Sequence, residues 1–240
     1  MMPSLSVIIP AHNEAGELPG TLTKLRAGLA TLDVATEIVV VDNAASDATA
    51  TTALVHGARV VSERHRQIAR ARNTGARAAT GEWLLFVDAD TWPPADLLAR
   101  ACAELAAGTC GGGAQVDMPE LPSRIYRWGV RGWNALARRF RLAAGCFLFV
   151  RREAFFAVGG FDERYYAGDE VLLSRRLARW GRQRGCAFVI IAAPAVMTSG
   201  RKAEWFGPLQ HLATILLVML WPPAMRRRRL MWFWYGRPGA

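Results

Sequence analysis

The stretch Glu82 to Pro94, Glu-Trp-Leu-Leu-Phe-Val-Asp-Ala-Asp-Thr-Trp-Pro-Pro, constrains the chain more than any other. Trp83 to Val87 run apolar without a break, two aspartates follow with one alanine between them, and Pro93-Pro94 bar continuation. An uninterrupted apolar run of this length, closed by prolines, fits a strand buried on both faces, as in a parallel sheet. In extended chain, residues two apart point to one side, so Asp88 and Asp90 are expected to aim two carboxylates at one point. That point lies at the carboxyl end of a parallel strand, where open α/β sheets bind ligands. Paired carboxylates are hard oxygen donors that hold Mg²⁺ or Mn²⁺ together with phosphate oxygens. Alone, an Asp-x-Asp is more often an acidic surface turn, so the remainder of the chain decides.

Leu5 to Pro10, Glu37 to Asp42 and the weaker Ala58 to Ser62 read as further strands. Between them, Leu18, Leu22, Leu25 and Leu29 recur at helical spacing with Asn13 as a plausible N-cap. Ser46 or Asp47 is placed to cap a short helix to His56, and Arg66 to Ala79 reads as a helix broken by Gly81. The alternation of strand and helix predicts a parallel sheet with helices on its faces. Beyond Pro94 the expectations are a helix over Ala95–Ala107, a strand over Ala114–Met118, a strand over Gly145–Arg151, a helix opened by Gly168-Asp169-Glu170, and a last strand over Cys186–Ala192. Ser123 to Leu142 is basic and aromatic, and a tail of different composition begins near Thr198. The expected division is a domain over 1–200, with a nucleotide-binding half over 1–110 and an acceptor half over 111–200, followed by a tail over 201–240.

The net charge is +10, with Lys24 and Lys202 the only lysines, so the surplus is arginine and suits an anionic partner. Cys102, Cys110, Cys146 and Cys186 form no CxxC pair, which points to a reducing, cytoplasmic setting. Asp42, the Asp88/Asp90 pair and Asp169-Glu170 all fall at ends of elements on what should be one edge. Each alone reads as a cap or turn residue; together they predict an acidic crevice. Arg64, Arg66, Arg70 and Arg72 stand beside it, which is the chemistry of a nucleoside-diphosphate site, acid for metal and arginine for phosphate. Arg77 reads instead as part of a solvated helix face.

The chain resembles a family 2 glycosyltransferase with the GT-A fold. The residues that carry the resemblance are Ser6-Val-Ile-Ile-Pro-Ala-His-Asn-Glu14, Val39-Val-Val-Asp-Asn-Ala-Ala-Ser-Asp47, Ala71-Arg-Asn-Thr-Gly75, Leu85-Phe-Val-Asp-Ala-Asp90, Gly159-Gly-Phe-Asp-Glu163 and Gly168-Asp-Glu-Val-Leu-Leu-Ser-Arg-Arg-Leu177. They follow the family's order. The resemblance implies an α/β fold, a GT-A-type (nucleotide-diphospho-sugar transferase) mostly parallel sheet flanked by helices, here with a basic aromatic C-terminal tail. It implies a nucleotide-sugar donor, usually a UDP-sugar, and transfer with inversion. It implies that Pro10, Ala11 and Glu14 line the nucleotide pocket, that Asp42 bonds the base, that Arg66 meets the phosphates, that Asp88 approaches ribose or metal, and that Asp90 binds Mg²⁺ or Mn²⁺. The pair Asp169-Glu170 would supply the general base. The family usually reads Glu-Asp there, and this reversed order leaves open which of the two is the base. Asn43 replaces a common glycine, and the C-terminal motif of processive polymer synthases has no match.

The acceptor stays open. A lipid-linked or cell-envelope acceptor would fit a cationic surface. Leu212 to Trp221 is too short to cross roughly 30 Å of hydrocarbon. Arg226 to Arg229 beside Leu230-Met-Trp-Phe-Trp-Tyr235 have the composition of a membrane interface, so peripheral contact with the inner face of a membrane is expected, with packing on the domain or a homo-oligomer as the alternatives. Rival readings fare worse. A dinucleotide-dependent oxidoreductase wants G-x-G-x-x-G after the first strand, and a sugar nucleotidyltransferase wants a glycine-rich signature there; Pro10-Ala-His-Asn-Glu14 is neither. No nucleic-acid partner is expected, because carboxylates at strand ends repel phosphate. A catalytically inactive, membrane-associated scaffold of the same fold remains compatible with the reversed acidic pair.

Overall fold

A computed structural model describes residues 4–121, 123–201, 205, 207, 210, 213, 214, 217, 218 and 220–236. In chain order the elements are β1 (Ser4–Ala11), α1 (Leu18–Leu29), β2 (Ala35–Asp42), α2 (Thr49–Val55), β3 (Arg59–Ser62), α3 (Ile68–Ala78), β4 (Trp83–Val87) and β5 (Thr91–Trp92). They continue as α4 (Ala95–Ala106), β6 (Gly111–Asp117), α5 (Arg124–Phe140), β7 (Phe147–Arg151), α6 (Arg152–Ala157), α7 (Asp169–Arg184) and β8 (Phe188–Thr198). Two 3₁₀ turns, Pro222–Arg226 and Arg228–Leu230, lead to the single-turn helix α8 (Trp232–Tyr235).

The strands form one sheet in the order β3-β2-β1-β4-β7-β6-β8-β5. Parallel pairing joins β3, β2, β1 and β4, and also β6 and β8; β7 and β5 run antiparallel to their neighbours. The expected mostly parallel sheet is therefore present, with β5 and β7 as its two reversed strands. Every residue of β4 is buried, as its unbroken apolar run requires. Successive side chains alternate between faces. Ile8, Val41, Leu84, Phe86, Leu148 and Val150 meet Ala69, Ala76, Phe155, Leu173 and Leu177 of α3, α6 and α7. Val7, Ile9, Val40, Leu85, Val87 and Phe149 meet Leu18, Leu22 and Leu25 of α1 and Leu97, Leu98 and Ala101 of α4.

Several boundaries depart from the reading of the sequence. Asn13 is no helix cap: it sits at φ 55°, and its side chain accepts from Ser46 N while α1 begins only at Leu18. Neither Ser46 nor Asp47 holds the N-cap of α2, which is Ala48, although Asp47, just before it, accepts from Thr49 N. Helix α3 opens at Ile68, which leaves Arg66 in the preceding loop. The glycines Gly111 to Gly113 belong to β6, because only a missing side chain lets its backbone approach so closely: a Cβ on Gly112 would lie 2.3 Å from Val189 O. β8 runs on to Thr198 rather than ending at Ala192, with a register shift opposite Ala114–Val116 that accommodates Pro194. Ser123 to Leu142 is mainly a helix, and β5 and α6 were not foreseen. The apolar run over 212–221 lies partly outside the described residues; among those described, no helix is long and apolar enough to cross a membrane.

Gly75 fixes how closely α3 approaches the sheet. A Cβ there would lie 2.3 Å from Ile8 Cγ2 and 2.8 Å from Val41 Cγ2. Gly75→Ala gains at most about 1 kcal/mol of helix propensity, whereas overpacking a close-packed core costs about 1–3 kcal/mol. The net effect should be a loss of up to about 2 kcal/mol in urea denaturation, and raised stability would contradict this packing.

Candidate active site

The carboxyl ends of β1, β2 and β4 lie side by side because the three strands are parallel and in register, Ala11 opposite Asp42 and Ile8 opposite Phe86. At this edge is a cavity of about 130 Å³. Its walls include Pro10, Ala11, Glu14, Arg66, Asp88 and Asp90. Six of the residues named from sequence are thus brought together. Asp42 is not among the lining residues; its Oδ1 accepts from Ala45 N within the loop after β2, and its neighbour Asn43 lines the cavity instead.

Asn43 explains the departure from glycine at that position. It is buried, and its Nδ2 donates to Glu63 O (3.1 Å) and His65 O (2.7 Å), while its Oδ1 accepts from Gln67 N (3.0 Å). The side chain therefore ties the end of β2 to the loop that carries Arg66. Arg66 Nη2 in turn donates to Tyr235 O at 2.7 Å, and Tyr235 Oη accepts from Ile68 N at 3.3 Å. Trp234, Tyr235 and Gly236 complete one wall of the cavity. Tail residues around α8 pack beside Tyr166 and Ala167, just before α7.

Asp88 and Asp90 both face the cavity, but not by the alternation of an extended strand. β4 ends at Val87, Asp88 O accepts from Thr91 N, and Ala89-Asp90 form a turn. Each carboxylate meets a different arginine. Arg201 Nη2 lies 2.9 Å from Asp90 Oδ2 and donates to both oxygens of Glu14 at 2.8 Å. Nothing in the sequence marked Arg201; its only cue is its place directly after the last strand, at the same edge.

Arg72 Nη2 donates to Asp88 Oδ1 (3.0 Å) and Gly145 O (2.8 Å), and Nη1 reaches Asp169 Oδ2 at 3.4 Å. Arg72 is 4% exposed and so is Asp169. Asp169 and Glu170 do not line this cavity; Asp169 is joined to it through Arg72. Asp169 is in the first turn of α7 after Gly168, which takes φ 69°. Helix α7 is held in place by Arg176, whose guanidinium donates to Val158 O and Gly160 O of the Gly159-Gly160-Phe161 turn. Asn73 of α3 closes the same turn by donating to Phe161 O and accepting from Phe161 N.

Burial raises the pKa of Asp169, against the pull of Arg72. Burial and the adjacent Asp169 push Glu170 up to about 8 from its ordinary 4.5. Both carboxyls are thus pushed toward holding a proton at higher pH, and the guanidinium of Arg72 opposes that on each. Arg77 is exposed, as expected of a solvated face. The four cysteines are free thiols.

Removing one partner of a buried ion pair strands the other, at about 3–5 kcal/mol. Arg72→Met should cost that much at pH 8. The deficit should shrink toward pH 5, because Asp169 without its cation takes up a proton more readily and the stranded charge disappears. Urea denaturation at both pH values measures this; a deficit independent of pH would contradict the bridge.

Comparisons with known proteins agree with this architecture. Residues 6–159 match the model of the family described as Glycosyl transferase family 2. An uncharacterized glycosyltransferase of Mycobacterium bovis is 33% identical over 188 residues, covering 74% of this chain and 81% of that protein. A PGL/p-HBAD biosynthesis glycosyltransferase of Mycobacterium bovis is 31% identical over 205 residues, covering 82% and 73%. Among solved structures, the mannosyltransferase PcManGT from Pyrobaculum calidifontis in complex with GDP-Man and Mn²⁺ superposes with a TM-score of 0.67 at 23% identity, covering 96% of this chain and 65% of that longer one. Glucosyl-3-phosphoglycerate synthase from Mycobacterium tuberculosis, with Mn²⁺, uridine-diphosphate and glucosyl-3-phosphoglycerate, gives 0.62 at 18% identity, covering 90% and 79%. By sequence this chain belongs to glycosyl transferase family 2, and its sheet is that of the GT-A fold.

Proposed function

We propose that the chain transfers a sugar from a nucleoside-diphosphate sugar, a UDP-sugar in our reading, to an acceptor hydroxyl with inversion at the anomeric carbon. The observation that carries this is the Asp88–Arg72–Asp169 bridge, which couples a cavity at the sheet edge to a proton-holding carboxyl pair. Pro10, Ala11, Glu14 and Asp88 would bound the donor, and the corner formed by Asp42 and Asn43 would take the base. Solved relatives of the fold named with GDP-Man and Mn²⁺ or with uridine-diphosphate and Mn²⁺ support a donor of this class. Arg66 is the phosphate ligand in this reading: a diphosphate would replace the neutral carbonyl of Tyr235 on its guanidinium.

The donor set fits a hard divalent cation. Asp88 and Asp90 present carboxylate oxygens to one cavity, and among the described residues no group of three or more acidic, histidine or cysteine side chains gathers as a complete cage. Two carboxylates with substrate phosphates is how Mg²⁺ is usually held. What a cation on Asp90 supplies is charge neutralisation on the departing diphosphate. Arg201 already places a positive charge on Asp90 and Glu14, so it must yield there or share the carboxylate. Ligand pockets usually span roughly 300–1,000 Å³; the cavity of about 130 Å³ would open if Arg201 and the Trp234–Gly236 segment drew back.

In the transfer step the acceptor oxygen forms a bond to the anomeric carbon opposite the departing diphosphate, the bond to the phosphate oxygen breaks, and the hydroxyl proton passes to a carboxylate. Asp169 or Glu170 takes that proton. Glu170→Gln and Asp169→Asn separate the two: the variant of the base should keep donor affinity and lose about 10²-fold or more in turnover. If Glu170 is the base, kcat/KM should rise with pH to a plateau above about 8, because the acceptor carboxylate is protonated below that value; a profile flat from pH 6 to 9 contradicts it. Asp90→Ala should abolish the Mn²⁺ dependence of UDP binding in calorimetry, and unchanged dependence would remove the metal role. Arg201→Gln should tighten Mn²⁺ binding without nucleotide by about tenfold, the lower end for losing a competing charge-assisted hydrogen bond; weaker binding would contradict a competing guanidinium.

A further inference from the structure

Helix α5 is built unlike the others. Of its residues only Ala137 is buried. It is held to the domain along one narrow face: Trp133 packs on the core, and Asn134 accepts from Val116 N and donates to Val116 O. On the opposite side Ile125, Trp128, Leu136 and Phe140 are each more than half exposed. At about 100° per residue these four fall on one stripe, and Gly129 and Gly132 lie within it with open space where a Cβ would be. Arg124, Arg127, Arg131 and Arg138 run along one flank of the stripe, Arg139 lies inside it, and the helix has no acidic residue. Arg124, Arg127 and Arg131 with Trp128 line an open recess of about 220 Å³ on the helix surface.

We infer that α5 docks on an anionic lipid bilayer, with the apolar stripe in the headgroup boundary and the arginine recess on lipid phosphate. The combination selects among partners. An apolar stripe beside concentrated arginine is the pattern of an interfacial helix, whose binding adds buried apolar area to attraction for anionic headgroups. A nucleic acid would use the arginines and leave Ile125, Leu136 and Phe140 in water. A second copy docked through the same face would set its arginines against these without a carboxylate in the helix to offset them.

The helix also leads straight to the carboxyl pair. After Phe140, Ala143 N donates to Ser174 Oγ on α7, Ser174 Oγ donates to Glu170 O, and Gly145 O accepts from Arg72. A bilayer under α5 would lie beside the acceptor half, so the acceptor class it implies is a hydroxyl carried at a membrane surface. That last clause rests on the proposed transferase reading; the docking does not.

The test is co-sedimentation of the full chain at physiological salt with vesicles of phosphatidylcholine alone and of phosphatidylcholine with phosphatidylglycerol. Binding to the anionic vesicles, at least about tenfold weaker to neutral ones and at least about tenfold weaker for Trp128→Ala/Phe140→Ser, is the expected result. The double variant should keep its circular dichroism and its donor hydrolysis, which separates loss of docking from loss of the enzyme. Should that variant fail to fold, quenching of wild-type tryptophan emission by lipids brominated in the acyl chain, reduced in Trp128→Phe, supplies the same answer. No binding to anionic vesicles overturns the inference. So does binding that Arg124→Glu/Arg127→Glu/Arg131→Glu abolishes while Trp128→Ala/Phe140→Ser leaves it unchanged, which would be attraction without insertion. So does tight binding of a labelled single-stranded oligonucleotide with none to vesicles.

Discussion

Much of the site hangs on one buried guanidinium. Arg72 reaches Asp88 on the cavity side and Asp169 on the carboxyl-pair side, and it also caps Gly145 O at the end of the segment after α5. A charge this deep is tolerable only when paired and hydrogen-bonded. Its demands therefore fix where β4 ends, where α7 begins and how the loop before β7 runs. The close approach that Gly75 allows between α3 and the sheet delivers Arg72 to that place.

Charge balance explains the rest of the site's arrangement. Asp90 and Glu14 would repel each other across the cavity mouth, and Arg201 offsets both. Burial disfavours the charged form of both Asp169 and Glu170, and the adjacent Asp169 raises Glu170 further. Two arginines, one deep and one at the entrance, thus offset part of the site's negative charge from within. A diphosphate brings negative charge and its own cation, and the entrance arginine is the one placed to respond. In the proposed reading the tail would be a second element responding to the same ligand, since Tyr235 O occupies the guanidinium of Arg66.

The strands of the first half were legible because burial on both faces leaves a continuous apolar run, and β1, β2 and β4 each show one. Their parallel order put Pro10, Ala11, Asp88 and Asp90 at one edge without further information. What was illegible depends on contacts distant in the chain. Arg201 carries no local pattern and acquires its role only by folding against Glu14 and Asp90. Asp42 was expected at the base; its Oδ1 accepts from Ala45 N of its own loop, a contact that composition does not display. The aspartate pair reached the cavity by a turn, not by strand alternation, because β5 begins at once and pairs with β8. The tail's aromatics were read as an interface with lipid or as packing on the domain; Tyr235 is bonded to α3 through Ile68 N, while an exposed apolar stripe lies on α5.

The central claim is that the edge between Asp88, Asp90 and Arg66 receives a nucleoside diphosphate with its cation. Crystals grown with UDP and Mn²⁺, measured at a wavelength where manganese scatters anomalously, test it most directly. The account predicts a manganese peak bonded to Asp90, diphosphate density reaching Arg66, and the Arg201 guanidinium moved off Asp90. Clear UDP density elsewhere on the molecule, or a bound diphosphate with Arg201 still seated on Asp90 and no manganese peak there, would contradict it.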